Sequence, residues 1–252
     1  MSRKARVRSV SGIYHIMLRG INKQNLFEDV EDRQRFIDTL RYYKNISNYE
    51  MYSYCLMDNH IHLLIRETTE SVSQIIKRIS SSYVYWYNQK YDRWGHLFQE
   101  RFKSEVVESD EYVLMVLRYI HQNPVKAGIT NDVRRYLWSS YHEYVGVPVS
   151  VDVDFALGMF SEDKMRAITL FRAYMDDKNT DECLDYKQQV ILSDKEIISC
   201  LRKLGVANVS EMQGLEKNQR DEVVRKMKKV PGITVRHLAR VTGIAKSVID
   251  RI

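Results

Sequence analysis

His60 and His62, one residue apart in the 252-residue chain, are of a type and spacing that could hold a metal ion. Side chains along a strand alternate faces, so His60, His62 and Leu64 share one face. Ile61, Leu63 and Ile65 share the other, which is expected to be the buried one. Two imidazoles on one strand face lie roughly 6.5–7 Å apart along the backbone, close enough to converge on one ion. Neutral imidazole suits zinc, manganese or nickel. With 7 histidines in the chain, such a pair also arises readily by chance, and two solvent-facing or hydrogen-bonded histidines are the competing reading. Tyr119 and Asn123 stand one helical turn apart in LRYIHQNPVKAG, residues 117–128, and project from the same side. A phenol with its usual pKa of about 10 needs a base or cation before it is a strong nucleophile. A metal acting on a phosphodiester would relieve charge on the phosphoryl oxygens, and the Asn123 amide could complete the ligand set. Equally, Tyr119 could pack in the core while Asn123 ends the helix before Pro124. These residues alone leave that choice open.

Regular elements must bring the two sets together. GIYHIMLR at 12–19 reads as a strand ending at Gly20, and 31–46 as an amphipathic helix. Two β-rich runs, 49–57 and 60–66, flank Asp58-Asn59, a pair suited to a turn. A second helix covers 71–90, a fourth strand 101–108, and a third helix starts near Ser109-Asp110 and stops at Asn123-Pro124. The order β-α-β-β-α-β predicts an α+β, ferredoxin-like catalytic domain, with an antiparallel sheet carrying helices on one face. That domain spans 1–145. VGVPVSVDVD suggests a linker or crossover at 146–160, and 161–252 reads as a helical C-terminal domain. Within it, Val235, Leu238 and Ala239, then Gly243, then Ala245, Val248 and Ile249 predict a helix-turn-helix near 233–252. A plain helical hairpin is the alternative there.

The bulk properties permit nucleic-acid partners. Formal charge is +6 and the pI about 9.0, a moderate lean toward polyanions. The 17 tyrosines suit stacking on bases, and equally suit ordinary cores. Cys55, Cys183 and Cys200 form no C-x-x-C pair, which argues against a zinc ribbon or a disulfide framework and fits a reducing compartment. The N-terminal stretch is basic without an apolar run, and no segment approaches a membrane span, so a cytoplasmic protein without a membrane partner is expected.

Several segments together carry a family resemblance: YHIMLRG at 14–20, MDNHIHLLI at 57–65, GHLFQERFKS at 95–104, RYIHQNPVKAG at 118–128 and WSSY at 138–141. In order and spacing, over about residues 10–145, they resemble the REP-associated tyrosine transposases, a branch of the single-tyrosine HUH transposases. The resemblance implies that His60 and His62 are metal ligands, Asn123 a third ligand, and Tyr119 the nucleophile of a 5′-phosphotyrosine bond. It implies cutting of single-stranded DNA beside hairpin repeats and rejoining without ATP, in keeping with the lack of a phosphate-binding P-loop pattern. The ion implied is Mg²⁺ or Mn²⁺, and imidazole donors favour Mn²⁺ working at least as well. A bacterial, nucleoid-associated protein, monomer or homodimer, is implied, and in a dimer Tyr119 could serve a partner's metal.

Among the tyrosines, Tyr83, Tyr85 and Tyr87 of the second helix are rivals to Tyr119, with Tyr83 and Tyr87 sharing a face. His121, about 200° around the third helix from Tyr119, is expected to point away from it. Arg19, Lys23, Arg101, Lys103 and Lys126 are candidate DNA-backbone contacts, with Arg101 and Lys103 alternating onto one strand face. The basic arm Arg3–Arg8 is a weaker candidate. The tail departs from a compact catalytic module, and its helix-turn-helix resembles duplex-binding domains of replication initiators. Arg236 and Lys246 would then contact duplex DNA. A non-catalytic nucleic-acid-binding regulator is the alternative from another class. A replication-type nuclease is disfavoured by the short chain, and a zinc hydrolase by the lack of H-E-x-x-H.

Overall fold

The computed structural model describes residues 7–185, 192–230 and 232–252, so the arm at Arg3–Arg6 lies outside the described residues. The chain divides into two units, Met1–Asp185 and Tyr186–Ile252.

The first unit is built on strands β1 (Ile13–Arg19), β2 (Glu50–Met57), β3 (His60–Arg66) and β4 (Lys103–Val106), with helices α1 (Val30–Ser47), α2 (Val72–Lys90) and α3 (Asp110–Lys126). The sheet order is β2-β3-β1-β4, antiparallel throughout, as a ferredoxin-like βαββαβ unit requires. The fourth strand is shorter than 101–108 and leaves Arg101 outside it. Gly20 ends β1 because the chain turns back on itself: a Cβ there would collide with the Gln24 carbonyl oxygen. That turn brings Gly20 N onto Asn59 O and Leu26 N onto Asp58 O, so the loop after β1 lies beside the β2–β3 turn.

Helices α1 and α2 pack together on one face, where the Phe36 and Tyr83 rings meet edge-on at 5.0 Å. Leu18 of β1 lines a cavity with Ile76 and Val84 of α2, which marks the Leu18 and Ile61 face as theirs. The expectation that only this face is buried, with helices on one face alone, is incomplete. α3 covers the opposite face, so His62 and Leu64 are as buried as Ile61 and Leu63. Nor does α3 stop before Pro124. The proline removes one backbone donor in the last turn, and Ala127 N still reaches Asn123 O while Ile129 N reaches Pro124 O.

The expected linker at 146–160 is part of this unit. Helices α4 (Tyr141–Val145), α5 (Val153–Gly158) and α6 (Lys164–Asp176) follow the sheet. Leu56 N pairs with Trp138 O, Ser140 N with Tyr54 O, and Asp152 N with Met51 O, so this stretch closes the outer edge of β2. Val151, Val153, Ala156 and Leu157 are buried, whereas Val147 and Val149 stay exposed. α6 also belongs here, its Phe171 stacked on Tyr144 at 4.6 Å, so the helical domain begins after 185 rather than at 161.

The second unit contains α7 (Asp194–Lys203), α8 (Val209–Gly214), α9 (Lys217–Lys228), α10 (Val235–Thr242) and α11 (Lys246–Arg251) around Ile197, Leu201, Val224, Met227, Leu238 and Ile249. Thr234 caps α10, and Gly243, with φ of 69°, ends it in the left-handed conformation that glycine adopts without strain. α10 and α11 occupy the expected helix-turn-helix segment. Among the described residues, no helix is long and apolar enough to cross a membrane.

Candidate active site

The register of the central strands fixes the site. Met17 of β1 and Cys55 of β2 flank His62, so the histidine face of β3 sits at mid-sheet beneath α3. Asn123, on α3, meets both histidines. Its Nδ2 lies 3.2 Å from His62 Nε2, and its Oδ1 lies 3.4 Å from His60 Nε2. One turn earlier, the Tyr119 ring stands edge-on to His62 with centroids 5.7 Å apart. The two sets named from sequence are therefore one cluster, although 61 residues separate His62 from Asn123.

Burial sets the protonation of the imidazoles. Desolvation holds His60 below its ordinary value and His62 far below it, the neighbouring histidines adding to the effect at His62. Both are neutral at pH 7, the form that ligates metals.

Hydrogen-bond chemistry tests the fit of a cation. His60 Nδ1 lies 2.7 Å from Asn59 Oδ1, an acceptor, so the single proton of neutral His60 belongs there. His60 Nε2 then presents a lone pair to Asn123 Oδ1, another acceptor, and a cation between them satisfies both. Among the described residues, no group of three or more His, Cys, Asp or Glu side chains is arranged to hold a metal. Two imidazoles and one amide would suit a divalent ion here, as donors of the kind such ions accept.

Tyr119 is only 5% exposed. Burial, followed by the charge and hydrogen bonding of the Asp185 carboxylate, pushes its pKa up, and hydrogen bonding with Asn123 opposes that shift. Asp185 ends a segment that follows α6 and crosses α3. Gln122 Nε2 donates to Met175 O and Asp177 O at 2.8 and 3.0 Å, and Arg118 Nε binds Asp181 Oδ2 at 2.8 Å. Lys126, named as a DNA contact, is engaged by this segment: Nζ reaches Asp181 O at 3.0 Å and sits 4.8 Å from the Tyr119 ring centroid.

The other candidates separate. Arg19 pairs in register with His60, and exposed Lys23 lies in the adjoining loop, so both border the histidine pair. Lys103 is in register with Met17, while exposed Arg101 lines the α2 cavity, of about 770 Å³, on the far face. The two do not share a strand face. Arg236 and Lys246 are exposed on α10 and α11 of the second unit. The rival tyrosines lie across the sheet, Tyr83 donating to Leu26 O and Tyr87 to Glu28. His121 is buried, bonded to Ser140 and Ser53 at 2.8 and 3.2 Å, and is structural.

Besides Asp185, two groups beside the site were not foreseen. His15 Nε2 stands 2.9 Å from His62 Nδ1, and Glu105 is the cross-strand partner of His15. A single strand pattern cannot reveal such neighbours, because they depend on which strands pair.

The chain is matched over residues 9–123 by the family model described as Transposase IS200 like. It is 26% identical over 160 residues to a curated REP-associated tyrosine transposase of Haemophilus influenzae, covering 58% of this chain and 88% of that protein. A solved REP-associated tyrosine transposase, bound to a REP hairpin, superposes with a TM-score of 0.52 at 18% identity, covering 61% of this chain and 93% of the other. At that identity the structural likeness is one of fold. Residues 9–123 of the first unit thus match the IS200-like transposase family model, and the chain is similar to the REP-associated tyrosine transposases.

Proposed function

We propose that this protein is a divalent-metal-dependent, single-stranded-DNA endonuclease and strand transferase that cuts beside hairpin repeats through a 5′-phosphotyrosine on Tyr119. The observation that carries the reading is the convergence of His60 Nε2 and His62 Nε2 on the Asn123 amide, with the Tyr119 ring against His62. His60, His62 and the Asn123 oxygen would hold Mg²⁺ or Mn²⁺, and the bound ion would act as a Lewis acid on the scissile phosphate. Tyr119 oxygen attacks phosphorus, the P–O3′ bond breaks, and the departing 3′ oxygen takes a proton. The proton that the phenol gives up passes through solvent to that departing oxygen. A 3′-hydroxyl of another strand reverses these steps and returns the proton to Tyr119. One phosphoester replaces another, so no nucleotide hydrolysis is needed.

The hairpin partner is supported by likeness to a transposase bound to a REP hairpin. Tyr119 lies beside histidines of its own chain, which favours action in cis. The substrate reaches Tyr119 only when the segment ending at Asp185 moves aside. The same burial favours a second reading, a non-catalytic nucleic-acid-binding regulator. The exposed Arg236 and Lys246 support duplex-DNA contact by the second unit.

The test is incubation with labelled single-stranded hairpin DNA from repeats flanking the gene, in Mn²⁺, followed by denaturing electrophoresis. A denaturation-resistant adduct that disappears in Tyr119→Phe and in His60→Ala/His62→Ala is expected. Binding without an adduct, across metals and strands, gives the regulator reading the lead. An adduct that survives Tyr119→Phe moves the nucleophile elsewhere.

A further inference from the structure

We propose that His15 and Glu105 are positioning residues that fix the tautomer of His62, so that its Nε2 lone pair faces the metal. The inference rests on the metal reading of His60, His62 and Asn123. A neutral imidazole has one N–H and one lone pair, so the bond made by one nitrogen determines what the other can do. His62 Nε2 faces Asn123 Nδ2, a donor, at 3.2 Å, and must therefore accept. Its proton is then on Nδ1, which donates to His15 Nε2 at 2.9 Å. His15 Nε2 thus accepts, and its own proton lies on Nδ1.

That nitrogen is buried without a hydrogen-bond partner among the described residues, and Glu105 Oε2 stands 3.9 Å from it. A shift of about 1 Å brings that pair to hydrogen-bond distance. With that shift the Glu105 carboxylate would back His15 as His15 backs His62, an extended form of the carboxylate–histidine support common behind metal ligands. Its geometry follows from the sheet: His15 and Glu105 are directly opposed across β1 and β4, and His15 is diagonal to His62 across β1 and β3. Neither the H-x-H spacing nor the tyrosine helix requires a third buried histidine here. Glu105 also accepts from Leu184 N at 3.1 Å and from the Tyr112 hydroxyl, which hold its carboxylate near β1.

The test uses the full chain, Mn²⁺ alone, and two readouts independent of DNA cleavage. Side-chain ¹⁵N spectra of the metal-free protein report tautomers directly, and His62 and His15 are both expected as Nδ1–H. A His62 carrying its proton on Nε2 overturns the relay. Mn²⁺ affinity, read by electron paramagnetic resonance, is expected to fall about tenfold or more in His15→Leu. It falls by several-fold in Glu105→Gln, which keeps an oxygen for Leu184 and Tyr112 and so guards against misfolding of the first variant. His15→Gln, which can accept from His62 and donate to Glu105, is expected to restore most of the affinity. Unchanged affinity in Glu105→Gln, or a His15→Gln as weak as His15→Leu, overturns the proposal. The His60→Ala/His62→Ala control separates the two failures. A wild type that binds no better than this control removes the metal reading and the relay with it. A wild type that binds normally, beside an unaffected Glu105→Gln, removes the relay alone.

Discussion

Arg118 Nε and Asp181 Oδ2 meet at 2.8 Å, with side chains only 12% and 10% exposed. The pair fastens the segment after α6 across α3, and the same segment delivers Asp185 to the Tyr119 hydroxyl. Access to the proposed nucleophile and the integrity of this ion pair are therefore linked. Removing one partner of a buried pair leaves the other charge uncompensated, at a cost of about 3–5 kcal/mol.

Asp181→Ala is expected to loosen the segment, so adduct formation with single-stranded hairpin DNA rises several-fold while the thermal midpoint drops. Nitration of Tyr119 by tetranitromethane, mapped by mass spectrometry, reports exposure without DNA. An Asp181→Ala protein with lower Tm and unchanged Tyr119 nitration breaks the link between the pair and access.

Acid stability follows from the buried histidines. Burial depresses His15 and His121 to about 3, from an unfolded value of 6.5. The unfolded chain takes up these protons as pH falls through 6.5, while the folded chain refuses them until about pH 3. Their stabilising contribution is thus complete above pH 6.5 and declines below it, by about 1.4 kcal/mol per pH unit for each residue. At pH 5 the two together lose about 4 kcal/mol, a large share of ordinary domain stability. Circular-dichroism melts in EDTA should show Tm falling steadily from pH 6.5 to 5. A Tm that holds constant down to pH 4 contradicts the burial of these imidazoles.

Much of this was legible in the residues. The alternation in IYHIMLR and HIHLLIR gave the strands, and Asp58-Asn59 the hairpin, because these signals are local. What failed was non-local. Nothing in VGVPVSVDVD distinguishes a solvated linker from a segment that closes the β2 edge, since Val147 and Val149 stay exposed while Val151 and Val153 are buried only once Met51 is present as partner. His60 and His62 could be placed on one face, but not beneath α3, because the covering of the second sheet face depends on a helix fifty residues downstream. His15 escaped notice for the same reason: its meaning comes from β1 pairing with β3 and β4 together.

The amide at 123 should govern metal choice. A carboxylate is a harder, charged donor than an amide, and magnesium favours oxygen ligands. Asn123→Asp is therefore expected to raise the ratio of Mg²⁺- to Mn²⁺-supported adduct several-fold, and Asn123→Ala to weaken both. An unchanged ratio in Asn123→Asp, with affinity also unchanged, would remove residue 123 from the ligand set.

The second unit presents Arg236 on α10 and Lys246 on α11, either side of the Gly243 turn. Lys246 has an exposed i,i+4 contact to Asp250 at 3.8 Å, weak enough to be exchanged for a phosphate. Each phosphate neutralised by such a side chain releases condensed counterions, so the log–log slope of duplex affinity against salt changes by about 0.9 per contact. Arg236→Ala/Lys246→Ala in the full chain is expected to weaken duplex binding and make that slope shallower by about 2, uniformly across sequences. Adduct formation on single-stranded hairpin DNA should be unaffected, since neither residue belongs to the first unit. Equal loss of both activities would mean that the double substitution damages the whole chain, whereas an unaltered salt slope would assign α10 and α11 to packing alone.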